Sequence, residues 1–183
     1  MRGICVIAGL AAFAAAPAAA EVKSASETGF DLVFSETVSK PPEQVWAALK
    51  APAKWWNKDH TYSGDAANLW MDAQAGGCFC EKLAGEGSSR GSVEHARILY
   101  AQPGKVLRLQ GAFGPLQAHP VIGIMTFVLK PAEGGGTTIT VSYVLGGHVA
   151  GDGGTAGMAP LVDKVLGEQV AGLKAFVEAE PAQ

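Results

Sequence analysis

Basic residues are scarce in this chain, and they are not grouped. The 183 residues include 14 Lys and Arg against 17 Asp and Glu, which gives a formal net charge of −3. A protein surface that binds nucleic acid or an anionic membrane needs clustered Lys and Arg side chains. The composition therefore predicts that neither nucleic acid nor an anionic membrane surface is a partner of this protein.

Cysteine is also rare, since the chain has three, at positions 5, 78 and 80. In a regular strand, residues i and i+2 are roughly 6.5–7 Å apart, which is too far for a disulfide without a sharp local bend. A structural zinc site needs four ligands. Even if His95 on the next strand approached Cys80, the two cysteines and this histidine would supply three ligands at most. The sequence therefore predicts two free strand thiols and no bound metal.

Long apolar runs are absent except near the N-terminus. A short basic start, Met1-Arg2, is followed by an alanine-rich apolar run and by Pro17-Ala18-Ala19-Ala20, a pattern typical of an export signal. The run is shorter than the roughly 20 apolar residues that a spanning helix needs. We expect residues 1–20 to be a signal peptide cleaved after Ala20, a periplasmic or secreted location, and no integral membrane segment in the mature chain.

The remainder reads as one domain, residues 30–180, preceded by a flexible lead-in at 21–29. Residues 30–38 have strand character, and residues 39–50 begin with Ser39 as a candidate cap and two prolines, as helices often do. A second short helix or turn is predicted over 53–60. Five strand-like runs follow, at residues 69–83, 91–101, 105–113, 122–131 and 137–145.

Two segments have a particularly clear period. Residues 137–145 alternate apolar and polar side chains, as a half-buried strand does. Residues 159–180 place apolar side chains on one helical stripe, which predicts a long amphipathic C-terminal helix. Because strands are grouped instead of alternating with helices, the predicted fold class is α+β. The loop "PAEGGG" before the last strand lacks the Lys-Ser/Thr of a phosphate-binding loop, and no cofactor is predicted.

This order of elements, together with four short segments, resembles the START-like superfamily, also called SRPBCC, which includes polyketide cyclases and the birch-pollen allergens. The segments are "VSKPPEQVWAAL", "KWW", "AGGCFCE" and "YAQPGKVLRL". Within the superfamily, they resemble most the branch associated with activation of a heat-shock ATPase. The resemblance implies a helix-grip fold, in which a curved antiparallel sheet surrounds the long C-terminal helix and two short helices follow the first strand.

The resemblance also implies a cavity between sheet and helix for a small hydrophobic ligand. An exported chain would not meet a cytosolic ATPase, so we expect binding of a lipid-like or polyketide-like molecule. The candidate cavity residues are large side chains and a few polar ones, namely Trp46, Trp56, Trp70, Phe79, Glu81, His95, Phe113, Met125, Phe127, Tyr143 and Leu166.

Catalysis is the alternative to binding. If Glu81 faces the apolar cavity beside Phe79, burial would raise its pKa. Glu81, with His95 or Tyr143 as its candidate partner, could then act in acid–base catalysis of a cyclase- or dehydratase-like reaction on a small hydrophobic carbonyl compound. Alternatively, Glu81 lies near the sheet rim and is solvated or paired with Arg97. A third interpretation is an interaction module whose cavity has collapsed.

Overall fold

The computed structural model describes residues 21–179, so the predicted signal peptide lies outside the described residues. The elements are β1 (Glu21–Ser26), β2 (Gly29–Val38), α1 (Pro42–Leu49), β3 (Leu69–Met71), β4 (Cys78–Lys82), β5 (Ser92–Gln102), β6 (Val106–Gln110), β7 (Val121–Pro131), β8 (Thr137–Gly147) and α2 (Gly154–Ala179). The eight strands form one antiparallel sheet in the order β1-β2-β8-β7-β6-β5-β4-β3, and the 26-residue helix α2 packs on it. The predicted α+β, helix-grip-like fold is confirmed.

The centre of the sheet follows the periodicity of the sequence. In β8, alternate residues from Thr137 to Leu145 are buried, and the residues between them are exposed or partly exposed. The strand pairs with β2 on one side and with β7 on the other over its whole length. One face of the sheet therefore forms the core, as the alternation predicts.

The predicted flexible lead-in is instead a strand. β1 pairs with β2 from Glu21 opposite Val33 to Ser26 opposite Gly29. The hydroxyl of Thr155 at the start of α2 donates a hydrogen bond of 2.7 Å to the carbonyl oxygen of Ser26. Backbone pairing holds this polar segment, which is why apolar patterning did not reveal it.

The long helix α2 covers the core face, and the predicted stripe lies against the sheet. Val162, Leu166 and Leu173 are buried, and Lys174 forms an ion pair of 2.7 Å with Glu36 of β2. Gly172 allows close approach of the chain at Trp55, because a Cβ at this position would lie 2.6 Å from the Trp55 carbonyl oxygen. Within residues 21–179, neither helix has the length and apolar character that crossing a membrane requires.

The region after β2 contains one α-helix instead of the two short helices that were predicted. Pro41, not Ser39, is the N-cap of α1, and the Ser39 backbone amide instead donates a hydrogen bond of 2.7 Å to Glu178. The segment predicted to be a second short helix or turn forms 3₁₀ turns at Pro52–Lys54 and Lys58–His60. These turns carry the chain from α1 across the surface of α2.

Candidate functional site

A cavity of about 460 Å³ opens beside the N-terminal half of α2. This volume lies within the usual range for small-molecule sites, roughly 300–1,000 Å³. We call it the α2 cavity. Its lining residues are Trp56, Asp59, His60, Thr61, Tyr62, His95, Phe113, Gly114, Pro115, Leu116, Met158, Leu161, Val162, Val165 and Leu166.

The space farther along α2 is filled. Between the helix and the middle of the sheet, a void of only about 10 Å³ remains, lined among others by Trp55, Met125 and Phe127. The open volume is therefore at one end of the helix, between α2 and two loops, and does not extend beneath its full length.

The first loop, residues 56–62, is anchored to α2 by side chains of the helix. The buried Gln169 accepts a hydrogen bond of 2.8 Å from the backbone amide of Asn57, and Trp56 Nε1 donates one of 3.2 Å to the His60 carbonyl oxygen. A buried side-chain amide needs such partners, since an unsatisfied polar group costs about 1–3 kcal/mol. These contacts place Trp56 and His60 in the wall of the α2 cavity.

The second loop, residues 113–118, is held against β5. Gln117 Nε2 donates a hydrogen bond of 2.8 Å to the Glu94 carbonyl oxygen, and Leu116 is buried. The ring of Phe113 lies 5.6 Å from that of Tyr143 in an edge-to-face arrangement, a favourable geometry for aromatic pairs. This loop forms the wall opposite residues 56–62.

A buried histidine–glutamate pair lies at the wall of the α2 cavity. His95 Nε2 is 2.9 Å from Glu81 Oε2, and the two side chains are 6% and 0% exposed. The backbone amides of Tyr62 and Ser63 also donate to the Glu81 carboxylate. His95 lines the cavity, and Glu81 lies behind it.

A β-bulge brings His95 next to Glu81. In the pairing of β4 with β5, Phe79 is opposite Ala96 and Cys80 is opposite Glu94, so that His95 is an extra residue without a partner. As a result, the adjacent residues His95 and Ala96 are both buried. Bulges commonly redirect a side chain in this way, and they are frequent next to active sites.

Gly111, which directly follows β6, leaves room for the bulge. A Cβ on Gly111 would lie 2.1 Å from the His95 carbonyl oxygen and 2.6 Å from the Ala96 side chain. The Gly111 carbonyl oxygen also accepts a hydrogen bond of 3.0 Å from the buried hydroxyl of Tyr143. Any larger residue at position 111 would collide with His95 and Ala96, so this position requires glycine.

Burial and hydrogen bonding determine the protonation states of Glu81 and His95. Burial acts to raise the pKa of Glu81, but hydrogen bonds from Ser63, Tyr62 and His95 outweigh it and hold this pKa below its usual value. The predicted rise in the pKa of Glu81 is thus wrong, because the carboxylate is surrounded by donors. Burial lowers the pKa of His95 despite the opposing effect of Glu81. At neutral pH, a neutral His95 donates from Nε2 to the carboxylate, and Nδ1 carries a lone pair.

His60, another lining residue of the α2 cavity, pairs with Glu168 of α2. His60 Nε2 is 2.7 Å from Glu168 Oε2, with side-chain exposures of 28% and 38%. The hydrogen bond from His60 holds the pKa of Glu168 below its usual value, with smaller help from Asn57 and Lys164 against burial. Among residues 21–179, no three His, Cys, Asp or Glu side chains form a cluster that could hold a metal ion.

Four of the predicted cavity residues line the α2 cavity, namely Trp56, His95, Phe113 and Leu166. Phe79 and Glu81 lie directly behind His95, with the Phe79 ring 5.1 Å from the imidazole. The remaining predicted residues occupy other places.

Of these remaining residues, Met125 and Phe127 border the filled space beneath α2. Trp46 packs in the core, and Tyr143 is fully buried, so that burial raises its pKa well above the usual range. Trp70 is 37% exposed and lies on β3, with Lys82 Nζ 5.8 Å from its ring. These five side chains do not line the α2 cavity.

The predicted free thiols are wrong. Cys78 and Cys80 form a disulfide, and their Cα atoms are 5.6 Å apart, closer than in a regular strand. The shift in register against β5 falls between Phe79 and Cys80, so the regular strand spacing does not hold there. The disulfide therefore spans the strand segment that faces the bulge at His95.

Several lining residues were missed by the sequence analysis, among them His60, Tyr62, Met158, Leu161 and Val165. His60 and Tyr62 belong to "WWNKDHTYSG", a loop that combines aromatic and titratable side chains. Loops on a rigid scaffold often carry binding residues, and this local composition was the available signal.

Comparison with solved structures shows the fold. An uncharacterised protein from Rhizobium leguminosarum matches with a TM-score of 0.56 at 20% identity, covering 83% of this chain and 96% of that one. CalU16 from Micromonospora echinospora matches with a TM-score of 0.52 at 17% identity, covering 82% and 78%. The Mll3558 protein from Rhizobium loti matches with a TM-score of 0.57 at 19% identity, covering 81% and 96%. No protein-family profile and no curated protein matches the sequence.

Proposed function

We propose that this chain is an exported small-molecule binding protein of the START-like superfamily, which holds a hydrophobic ligand in the α2 cavity. The observation that carries the proposal is an open volume of about 460 Å³ with mainly apolar walls and a buried histidine–carboxylate pair at one side. Ligand sites typically combine apolar walls with a few polar groups that fix orientation.

Assignment to the superfamily is supported by two independent likenesses. The segments "VSKPPEQVWAAL" and "YAQPGKVLRL" resemble its sequence patterns, most of all those of the branch associated with heat-shock ATPase activation. The solved structures share the sheet-and-helix fold over more than 80% of the chain. Export favours ligand binding over contact with a cytosolic ATPase.

The ligand should be amphipathic. Leu161, Val165 and Leu166 of α2 offer an apolar surface, and His95 offers a hydrogen-bond acceptor at Nδ1. A hydroxyl or N–H group of the ligand would pair with this atom, while its hydrophobic part, lipid-like or polyketide-like, lies along α2. The polar contact contributes orientation, and burial of apolar area contributes affinity.

Export to the periplasm or the medium is supported by two features. The N-terminal pattern predicts cleavage after Ala20, ahead of all the elements that the structure describes. The disulfide between Cys78 and Cys80 is of the kind that persists in oxidising compartments.

A second candidate function is acid–base catalysis on a small hydrophobic carbonyl compound. The buried pair of His95 and Glu81 favours it, because a neutral imidazole backed by a carboxylate is a suitable general base. In this function the ligand of the α2 cavity is a substrate, and the binding surface is the same.

Titration with anilinonaphthalene sulfonate, a fluorescent apolar probe, tests the binding proposal. The folded protein should bind it saturably at about one site per chain, and native mass spectrometry of protein from its own host should show a co-purified small molecule. If the probe binds only to partly unfolded protein, the α2 cavity does not accept ligands, and the interaction-module interpretation replaces this one.

A further inference from the structure

The disulfide between Cys78 and Cys80 is poorly suited to holding the fold together. In the chain-entropy account, the stabilisation by a disulfide grows with the length of the loop that it closes, and these cysteines are only two positions apart. Both belong to β4, so the bridge ties this strand to itself and not to another element. Stability therefore does not explain the bridge, and its surroundings point to another role.

The bridge lies on the solvent side of β4. Successive side chains of a strand point to opposite faces, so the two cysteines point away from the core face that holds Phe79. Their neighbours on the adjacent strands are Trp70, opposite Cys80, and Arg97, opposite Cys78, and both are exposed. Cys80 is buried, whereas Cys78 is only partly buried and is the cysteine open to an external thiolate. Accessible disulfides are the ones that exchange with external thiols.

The residue enclosed by the bridge supports the wall of the α2 cavity from behind. The buried ring of Phe79 lies 5.1 Å from the rings of Trp56 and His95. It also lies 6.3 Å from the ring of Phe113. All three partners line the α2 cavity. A backbone change between the two cysteines would therefore reach three wall residues through one side chain.

The bridge also limits the backbone that carries Glu81. The Cα atoms of Cys78 and Cys80 are 5.6 Å apart, against roughly 6.5–7 Å in a regular strand. Opening the bridge removes this limit and allows β4 to extend toward the regular spacing. Extension would displace Glu81, the next residue, which is hydrogen-bonded to His95 and to the backbone amide of Tyr62 in the cavity wall.

We propose that the Cys78–Cys80 bridge is a redox site that controls the α2 cavity, where a dithiol reductant opens the bridge and the bound ligand is released. This inference rests on the proposed ligand-binding function and adds its regulation. The bridged form, with its cavity of about 460 Å³, is the form that binds ligand. Because the bridge and the cavity lie on opposite faces of β4, reductant and ligand do not compete for the same space.

The exchange balances with a dithiol as the reductant. One of its thiolates attacks Cys78 Sγ, the bond to Cys80 Sγ breaks, and Cys80 leaves as a thiolate that takes up a proton. The second thiolate of the reductant then attacks the reductant sulfur of the mixed disulfide, and Cys78 is released in the same way. Two electrons and two protons have passed to the protein, and the reductant has become a cyclic disulfide. Exchange with oxidised glutathione closes the bridge again and yields two molecules of reduced glutathione.

Dithiothreitol and anilinonaphthalene sulfonate test the inference on the full chain carrying Cys5→Ser, in which Cys78 and Cys80 are the remaining cysteines. Millimolar dithiothreitol should reduce the bridge of the folded protein and make two thiols per chain titratable. Reduction should raise the Kd of the fluorescent probe by about tenfold, a usual strength of coupling between two sites. Oxidised glutathione should restore the affinity, and circular dichroism should show a folded protein in both states.

The matched control is Cys78→Ser/Cys80→Ser in the same background, which lacks the bridge without any reductant. It should bind the probe as weakly as the reduced protein and should not respond to dithiothreitol, so a direct effect of the reductant on the probe is excluded. Should this variant fail to fold, Phe79→Leu provides a second one. It keeps the bridge but loses the ring contacts to the cavity wall, so reduction should change its Kd by less than about threefold.

Three results would overturn the inference: a bridge that dithiothreitol reduces only when the chain unfolds, reduction that leaves the affinity unchanged or increases it, or reduction that unfolds the protein. If the bridged form binds the probe saturably, each of these results leaves the binding function standing. If the bridged form does not bind the probe, the proposed function fails, and the inference fails with it.

Discussion

The hydroxyl of Tyr62 donates a hydrogen bond of 2.9 Å to the carbonyl oxygen of Gly114. This contact joins the two loops that form opposite walls of the α2 cavity, residues 56–62 and 113–118. The Tyr62 side chain is largely exposed, and its ring also lies against His95. The loops are therefore connected across the opening by a bond that water can replace.

We predict that Tyr62→Phe speeds ligand exchange. Loss of one exposed hydrogen bond, typically about 0.5–1.5 kcal/mol, should raise the dissociation rate of anilinonaphthalene sulfonate by up to about tenfold. Stopped-flow fluorescence measures this rate. Tyr100→Phe, which removes an exposed hydroxyl bonded to Gln102 on β5, is the control and should leave the rate unchanged. Equal rates in the two variants would show that the Tyr62–Gly114 bond does not restrict the opening.

Bulk at the cavity mouth should block binding. Leu161 lines the α2 cavity and is 52% exposed, so Leu161→Trp should raise the Kd of the fluorescent probe by about tenfold or more, with little loss of stability because the site is at the surface. Leu99→Trp on β5, where the leucine is 43% exposed and outside the cavity, is the matched control. Unchanged affinity in Leu161→Trp would place the probe elsewhere on the protein.

Stability should fall as the pH falls, in two stages. The pKa of His95 is depressed in the folded protein, so the unfolded chain takes up this proton first, from about its ordinary value of 6.5 downward. The depressed pKa of Glu81 adds a loss below its ordinary value of 4.5. Each group removes about 1.4 kcal/mol for every pH unit between its folded and unfolded pKa.

Urea unfolding at a series of pH values measures this loss. His95→Gln should flatten the stage that begins near the ordinary pKa of histidine, and His148→Gln should leave it unchanged. A steeper dependence in His95→Gln would mean that the folded protein favours the protonated imidazole.

The disulfide gives a direct chemical prediction. Unreduced, unfolded protein lacking residues 1–20 should show no reactive thiol, whereas free cysteines would give two. Because the bridge closes a very short loop, Cys78→Ala/Cys80→Ala should cost only about 1.5 kcal/mol in the free energy of unfolding. The same double substitution should shift the His95 imidazole NMR signals, because the bulge at His95 lies opposite the segment that the disulfide spans. Unchanged signals would show that the disulfide does not influence the position of His95.

Export predicts a defined mature chain. Protein isolated from its own host should begin at or near Glu21, as determined by N-terminal sequencing or intact mass. Recovery of cytosolic protein that retains Met1 would contradict the export proposal, and it would leave the cavity argument unaffected.

The sequence predicted those elements in which side-chain pattern and structure coincide. β8 and α2 were evident because one face of each is buried, and the period of the apolar residues records this directly. β1 was missed because backbone pairing to β2 stabilises it.

The site was harder to predict, because its geometry depends on backbone irregularity. Proximity of Glu81 and His95 was one of two alternatives, and the β5 bulge decided it. The position of His60 in the wall of the α2 cavity depends on where a loop of 3₁₀ turns crosses α2. Gln169 and Glu168, more than 100 positions away in the chain, fix this crossing point through hydrogen bonds to Asn57 and His60. Neither contact leaves a periodic signal.

The filled interior beneath α2 has a consequence for how this protein can diversify. Two walls of the α2 cavity, residues 56–62 and 113–118, are loops outside the central strands, whereas the filled space beneath α2 is lined by strand and helix residues such as Met125, Phe127 and Val170. Insertions and substitutions in such loops are tolerated far better than changes in a packed core. Homologues can therefore acquire new ligands by altering these two loops while the sheet and α2 remain nearly constant.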